Sequence, residues 1–307
     1  MTRHLLSVDD LSPGELHAVL DLAGDVKASP ERFDETLAGT SVALLFEHPS
    51  TRTRVSFEAG VASMGAHVIF LGTEETQLGR GEPITDTARV LSGYVDAVAA
   101  RLASHDDVQE LAANASIPVV NALTDQAHPC QTMADLLTIR EHVGALDGVT
   151  VAWVGDGNNV ARSFAVGCAM AGVDLKVATP PGHELGTDVL ARASTYGDPP
   201  TVTHDPDEAV SGADVVATDV WVSMGEDDRR DEKVAAFDGF QVNAALLAGA
   251  PGARVLHCLP AHRGEEITDA VLESDRALVW EQAKNRACTQ QALLALLLDA
   301  VEIRSPA

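Results

Sequence analysis

Short apolar runs alternate with helix-like stretches along the whole chain. The runs fall into two groups: Val42–Phe46, Val68–Leu71, Ala97–Leu102 and Val119–Leu123 in the first half, and Val151–Val154, Leu175–Ala178, Val215–Thr218, Val255–Leu259 and Leu278–Trp280 in the second. Strands that are apolar at nearly every position are typical of parallel sheets covered on both faces. The pattern therefore predicts an α/β fold with two parallel β-sheets, each flanked by helices.

Two groups of strands in a chain of 307 residues favour two domains, because a single hydrophobic core rarely grows beyond about 250–300 residues. Met133–His142 has a helical pattern that joins the halves, and Gly144 marks a break after it. Gln290–Ile303 is predicted as one terminal helix, which is expected to return to the N-terminal domain. The expected domains are residues 1–138 together with 287–307, and residues 139–286.

The charge balance is strongly acidic, since 46 Asp and Glu against 21 Lys and Arg give a net charge of −25. Such a surface repels nucleic acid and anionic membranes, so neither is an expected partner. It suits concentrated salt, where screening weakens the self-repulsion, and we expect a halophilic protein. The sequence has no bilayer-length apolar stretch, no signal-peptide pattern and no disulfide-like cysteine framework, which favours a cytoplasmic enzyme with free thiols.

The segment Ser50-Thr51-Arg52-Thr53-Arg54 lies between the first predicted strand and an amphipathic run that begins near Ser56. Hydroxyls, backbone N–H groups and a guanidinium at a helix N-terminus form a phosphate site. The alternative is a simple helix cap with solvated arginines. Two hydroxyls and two arginines in four consecutive positions favour the anion site.

Three further motifs follow predicted strands. His128-Pro129-Cys130-Gln131 offers an imidazole and an amide to a small ligand, although a structural histidine and a packed thiol are the alternative. Gly155–Asn159 is half of a dinucleotide fingerprint, but Val160 replaces the third glycine, which favours a tight turn that presents an asparagine.

The third of these motifs, His257–Gly264, places Cys258 between two histidines and suggests either thiol catalysis or a metal. His257 and Cys258 point to opposite faces of a strand, so His257 is not expected to serve the thiol. No second Cys/His cluster completes a tetrahedral set, so we expect no metal.

Together these motifs resemble the aspartate/ornithine transcarbamoylase family over essentially the whole chain. Ser50–Arg54 and His128–Gln131 are similar to carbamoyl phosphate signatures that both branches of the family share. Asp219–Gly225 and His257–Pro260 are similar to motifs of the ornithine branch. The resemblance also implies a cis Leu259–Pro260 peptide.

The resemblance implies a reversible transfer of the carbamoyl group between carbamoyl phosphate and the side-chain amine of L-ornithine, without a cofactor, in arginine biosynthesis or degradation. The implied catalytic residues are Arg101, His128, Asp219 and Cys258. The implied carbamoyl phosphate ligands are Ser50, Thr51, Arg52, Thr53, Gln77, Arg101, His128, Pro129, Cys130, Gln131, Cys258, Leu259 and Arg286. The implied ornithine ligands are Asn159, Asp219, Ser223 and Met224.

The same resemblance implies a homotrimer or a multiple of trimers, in which Gln77 serves a neighbouring subunit's site and Arg286 reaches the phosphate from the second domain. Two alternatives stay open: a transcarbamoylase for another amine, such as putrescine, and a non-catalytic anion-binding paralogue.

Overall fold

The computed structural model describes residues 2–73, 76–223 and 225–301. The chain divides by its internal contacts into unit 1, Met1–Met133 with Lys284–Ala307, and unit 2, Ala134–Ala283. Each unit contains one all-parallel sheet flanked by helices, which confirms the predicted fold class.

Unit 1 is built on the sheet order β2-β1-β3-β4. Its elements are α1 (Pro13–Ala28), β1 (Ser41–Phe46), α2 (Thr51–Ala62), β2 (His67–Gly72), α3 (Ile84–Ser92), β3 (Ala97–Arg101), α4 (His105–Asn114), β4 (Val119–Leu123) and the start of α5 (Pro129–Val143). The strand order reverses between β1 and β3. Open parallel sheets bind ligands beyond the carboxyl ends of the strands at such a reversal.

Unit 2 has the sheet order β7-β6-β5-β8-β9, which reverses between β5 and β8. Its elements after α5 are β5 (Thr150–Val154), α6 (Asn159–Ala171), β6 (Asp174–Ala178), α7 (Thr187–Ala193), β7 (Thr201–Thr203), α8 (Pro206–Val210), β8 (Val215–Thr218), α9 (Arg230–Ala236), β9 (Arg254–His257), α10 (Asp269–Leu272) and the start of α11 (Val279–Leu297). Part of its core is an apolar cluster that includes Val154, Val216, Phe237 and Val255.

The predicted strand Leu278–Trp280 is wrong, because α11 begins at Val279. Its apolar run of three residues is followed directly by helix-forming Glu281, Gln282 and Ala283, and a run that short fits either structure. The terminal helix is therefore longer at its start than Gln290–Ile303 indicates. The sequence pattern also missed β7, a short edge strand whose half-polar sequence Thr-Val-Thr lacks an apolar run.

Helix α11 packs on the N-terminal helices of unit 1, as expected from the sequence. The Gln291 amide donates to the carbonyl of Gly60 on α2 at 3.0 Å, and a Cβ at Gly60 would lie 3.2 Å from the Gln291 side chain. Asn285 accepts a 2.7 Å hydrogen bond from Lys27 on α1. Arg286 lies in unit 1 together with this packing, whereas the expected boundary put it in the second domain.

None of the helices described, across residues 2–73, 76–223 and 225–301, has the length and hydropathy to cross a membrane.

Candidate active site

The Ser50–Arg54 segment forms the N-terminus of α2 in unit 1. Ser50 is the N-cap in an extended conformation, and its hydroxyl accepts a 3.3 Å hydrogen bond from the backbone N–H of Thr53. Thr51 and Arg52 lie exposed in the first turn. Backbone N–H groups in a first helical turn have no intrahelical acceptor and carry the positive end of the helix dipole. The segment therefore has the groups that an anion site needs.

A buried arginine joins this segment to the His128–Gln131 motif. Arg286, only 4% exposed, donates to Thr53 Oγ1 at 3.0 Å and to Gln131 Oε1 at 2.9 Å. A third contact of 3.3 Å runs from Arg286 Nη1 to His128 Nε2. Four of the predicted carbamoyl phosphate ligands thus meet in one place. We call these four residues, Thr53, His128, Gln131 and Arg286, the Arg286 cluster.

The Arg286 cluster fixes the protonation of His128. Burial lowers the pKa of His128 well below its ordinary value, and the positive charges of Arg286 and Arg101 lower it further. The imidazole is therefore neutral near pH 7. Because arginine only donates hydrogen bonds, His128 Nε2 accepts and the proton lies on Nδ1. The imidazole therefore adds no charge of its own to the Arg286 cluster.

Arg101 ends β3 at the strand-order reversal of unit 1 and is 6% exposed. Its guanidinium acts on the pKa of His128 as a nearby positive charge. Two buried guanidinium groups around a neutral imidazole make a local positive site in a chain of net charge −25. Such a site compensates for the adverse global field that an anionic substrate meets.

Two other predicted carbamoyl phosphate ligands, Cys130 and Gln77, are not part of the Arg286 cluster. The buried Cys130 thiol donates to the Asn121 carbonyl at 3.5 Å, and burial raises its pKa to about 12, so it remains a protonated thiol. This favours a packing role for its side chain. Gln77 is exposed beside the turn Leu78–Arg80, and within the described chain no hydrogen bond joins its side chain to the Arg286 cluster.

In unit 2, Asp219 follows β8 and is 6% exposed. Its Oδ1 accepts from the Cys258 thiol at 2.9 Å, and its Oδ2 accepts from the Asn158 amide at 2.9 Å. These three residues follow β8, β9 and β5, so the carboxyl ends of three strands supply one hydrogen-bonded group. Asp219 and Cys258, two of the implied catalytic residues, are therefore in direct contact.

Both ring nitrogens of His257 have hydrogen-bond partners other than the Cys258 thiol. Its Nε2 donates to Glu266 Oε1 at 3.0 Å, and both side chains are fully buried. Its Nδ1 accepts from the backbone N–H of Leu259 at 2.9 Å. His257 and Glu266 thus hold the backbone that follows Cys258. The Leu259–Pro260 peptide is cis, which confirms that expectation.

Two groups of side chains in the described part of the chain have the types and spacing of metal ligands: Asp219, His257 and Cys258, and His262, Glu265 and Glu266. In the first group both ring nitrogens of His257 already have partners. In the second, Glu266 Oε1 accepts from His257 and from the His262 N–H. Metal binding would compete with these bonds, so the arrangement favours proton handling.

The predicted ornithine ligands Asn159 and Ser223 lie in different parts of unit 2. Asn159 opens α6 and is half-buried, but the residue bonded to Asp219 is the preceding Asn158. Ser223 is half-buried, and its N–H donates to Glu226 Oε2 at 2.9 Å. Met224 lies outside the described residues.

Both halves of this arrangement correspond to known domains. Residues 3–141 match the family model described as aspartate/ornithine carbamoyltransferase, carbamoyl-P binding domain. Residues 147–297 match the model described as aspartate/ornithine carbamoyltransferase, Asp/Orn binding domain. The chain belongs to the aspartate/ornithine carbamoyltransferase family. Within this family, the Arg286 cluster lies in the carbamoyl-P binding part, apart from Arg286 itself, which α11 supplies.

Relatives in the family cover the chain almost end to end. The chain is similar to the ornithine carbamoyltransferase of Haloquadratum walsbyi, with 57% identity over 96% of this chain and 98% of the relative. Identity to the Bacillus subtilis ornithine carbamoyltransferase is 48%, over 96% of this chain and 94% of that one. Among solved structures, the ornithine carbamoyltransferase from Pyrococcus furiosus matches with a TM-score of 0.93 and 44% identity, over 98% of both chains.

Sequence reasoning missed three residues that support the candidate site. Asn158 bonds Asp219, Glu266 bonds His257, and Lys233 bonds two carboxylates beside the Ser223 loop. Asn158 could have been predicted from the sequence, because it lies in the Gly155–Asn159 turn next to Asn159, the predicted ornithine ligand. The sequence evidence for Lys233 was weaker, and consisted only of a rare lysine in a highly acidic chain.

Proposed function

We propose that this protein transfers the carbamoyl group reversibly between carbamoyl phosphate and the δ-amine of L-ornithine, giving L-citrulline and phosphate. The observation that carries the proposal is the contact between Asp219 and Cys258 at 2.9 Å, in a chain 57% identical to an ornithine carbamoyltransferase. Unit 2 supplies this pair for the acceptor, and unit 1 supplies the Arg286 cluster for the donor.

The residues that bind carbamoyl phosphate stabilise negative charge. Carbamoyl phosphate presents phosphate oxygens to the N-terminus of α2, Arg52 and Arg286, which stabilise the departing phosphate. Attack on the carbamoyl carbon places negative charge on the carbonyl oxygen. Arg101 and His128 belong to a buried positive site, and we assign them the stabilisation of that charge, as donors act in an oxyanion hole.

The residues assigned to ornithine remove a proton from its δ-amine. The ornithine δ-amine resembles a lysine amine, whose ordinary pKa is about 10.4, and is mostly protonated at neutral pH. Asp219 is the carboxylate placed to bind this ammonium and take up its proton, and the Cys258 thiol shares its hydrogen bond. The neutral nitrogen then forms the C–N bond, the bond between the carbamoyl carbon and the phosphate oxygen breaks, and the second proton lost by the nitrogen leaves with the phosphate.

One assay separates the three candidate functions. The protein is incubated with carbamoyl phosphate and either ornithine or putrescine, and carbamoylated amine and phosphate are measured together. We expect equal amounts of citrulline and phosphate with ornithine and little product with putrescine. A preference for putrescine would support the other transcarbamoylase, and binding without turnover of either amine would support the non-catalytic paralogue.

We also propose a cytoplasmic homotrimer, or a multiple of trimers, in which Gln77 completes a neighbour's site. The exposed position of Gln77 supports this proposal. Gln77→Ala and Arg52→Ala chains, each first shown to assemble, are expected to be nearly inactive alone and to regain activity when refolded together. Mixed assemblies contain some sites without either lesion. No recovery in assemblies of trimeric mass would mean that Gln77 serves its own chain.

We propose that folding and activity require molar-range salt. At about 0.1 M salt the Debye length is about 10 Å, so neighbouring surface carboxylates repel one another, whereas about 1 M salt shortens it to about 3 Å. The melting temperature and activity are expected to fall together on dialysis into dilute buffer. Sucrose, which is excluded from protein surfaces without screening charge, should not replace the salt. Unchanged melting and turnover in dilute buffer would contradict the proposal.

A further inference from the structure

Lys233 is a buried lysine in unit 2 that the mechanism above does not use. It lies on α9, is 4% exposed, and its Nζ donates to Asp156 Oδ2 and to Glu226 Oε2, both at 2.6 Å. Burial opposes the charge, but the bonds to the two carboxylates outweigh it and raise the pKa of Lys233 above its ordinary value. The side chain is therefore an ammonium between two carboxylates.

The two carboxylates lie close in sequence to predicted ornithine ligands, since Asp156 shortly precedes Asn159 and Glu226 shortly follows Ser223. Asp156 lies in the turn after β5, two residues from Asn158, which bonds Asp219. That turn is tightly packed, because a Cβ at Gly157 would lie 2.7 Å from backbone atoms of His183 and Glu184. A second cationic partner, His183, lies 3.5 Å from Asp156 Oδ1 and is charged only when protonated.

Glu226 makes the connection to Ser223. The same oxygen that accepts from Lys233, Oε2, also accepts from the backbone N–H of Ser223 at 2.9 Å. A continuous chain of bonds thus runs from the turn after β5, through Lys233 and Glu226, to Ser223.

We propose that Lys233 is a positioning residue for the amino-acid substrate, holding the Ser223 loop against the turn after β5 through Glu226 and Asp156. The proposal rests on the proposed function, because Ser223 and Asp219 are taken as ornithine ligands. Lys233 itself touches no reacting atom. Lys233 determines where the ornithine-binding groups lie. Its loss should therefore weaken ornithine binding more than carbamoyl phosphate binding.

Lys233→Met tests this, since methionine keeps most of the stem and removes the ammonium. We expect the KM for ornithine to rise about 10- to 100-fold, the range over which small misplacements of binding groups act. The dissociation constant for carbamoyl phosphate should stay within about twofold of normal, because its predicted ligands on unit 1 are unchanged. Lys233→Arg keeps the charge and the donors and should restore most of the ornithine affinity. Lys176→Met is the matched control, because the ammonium of that lysine donates to a backbone carbonyl, that of Ser211.

A double variant separates positioning from stability. Lys233→Met leaves two carboxylates without their cation, which lowers the melting temperature. Adding Glu226→Gln removes one of the uncompensated charges and should recover part of the melting temperature, while the tether stays broken and the ornithine KM stays high. An ornithine KM that returns together with the melting temperature would overturn the proposal, as would a normal KM in Lys233→Met. Absence of citrulline formation by the unmodified protein would instead reject the proposed function.

Discussion

Arg286→Met is expected to weaken carbamoyl phosphate binding by about 30-fold or more, because the loss of one partner of a buried hydrogen-bonded charge pair costs about 2–5 kcal/mol. The substitution removes a buried positive charge that the departing phosphate needs. It also leaves Thr53, Gln131 and His128 without the donor that each now contacts. The free energy of unfolding is therefore expected to fall by about 1–3 kcal/mol as well.

Isothermal titration calorimetry measures the affinity for carbamoyl phosphate, and thermal unfolding measures the stability. Arg286→Lys is the informative second variant, because an ammonium keeps the charge but lacks the planar fork that serves several acceptors. We expect it to recover only part of the affinity. Arg89→Met, which removes an exposed arginine paired with Asp86 on α3, is the matched control. An unchanged affinity in a folded Arg286→Met protein would contradict the assigned role.

Arg286→Met should also change how the free energy of unfolding depends on pH. In the unmodified protein the pKa of His128 is lowered on folding, so the unfolded chain binds a proton that the folded chain excludes. Stability is then complete above the unfolded pKa of about 6.5 and declines as the pH falls below it. Without Arg286 one cause of the lowering is lost, so the His128 contribution to this decline should become smaller.

The hydrophobic pattern predicted most of the fold because parallel strands are apolar at nearly every position. Motifs at strand ends pointed to Ser50 and Cys258, whereas Arg101 and Asp219 came from the family resemblance; all four lie at or just beyond the carboxyl end of a strand. Parallel strands bring those ends to one edge of a sheet. The pattern failed where burial comes from a helix, as at Leu278–Trp280, and where an edge strand is half-polar, as at Thr201–Thr203.

Residues that act from helices were harder to predict. Arg286 lies in the second turn of a long helix and follows no strand, so only the family resemblance identified it. Lys233 belongs to no motif, and its role depends on two carboxylates that lie 77 and 7 residues away in the sequence. Such contacts depend on tertiary packing, which spacing along one chain does not encode.

Asp219→Asn is expected to lower kcat about 100- to 10,000-fold, the range that a positioned acid–base group contributes. The change is isosteric, but the introduced amide oxygen can accept from Cys258 or from Asn158 and not from both, and the carboxylate that takes up the amine proton is lost. Carbamoyl phosphate affinity should stay normal, because the Arg286 cluster is untouched. Asn158→Ala serves for comparison, since it removes one hydrogen bond to Asp219 and leaves the charge in place; it also removes the cap of α6, so its melting temperature is measured as well.

The pH profile distinguishes proton handling from simple binding. Below the amine pKa of about 10.4, each pH unit gives about ten times more neutral ornithine in solution. If Asp219 acts by deprotonating the amine, Asp219→Asn should gain activity with rising pH more steeply than the unmodified protein, because it depends on amine that is already neutral. Cys258→Ala should show a smaller loss of kcat and weaker ornithine binding, since the carboxylate remains. A near-normal kcat for Asp219→Asn at saturating ornithine, from neutral to alkaline pH, would show that the proton leaves by another route.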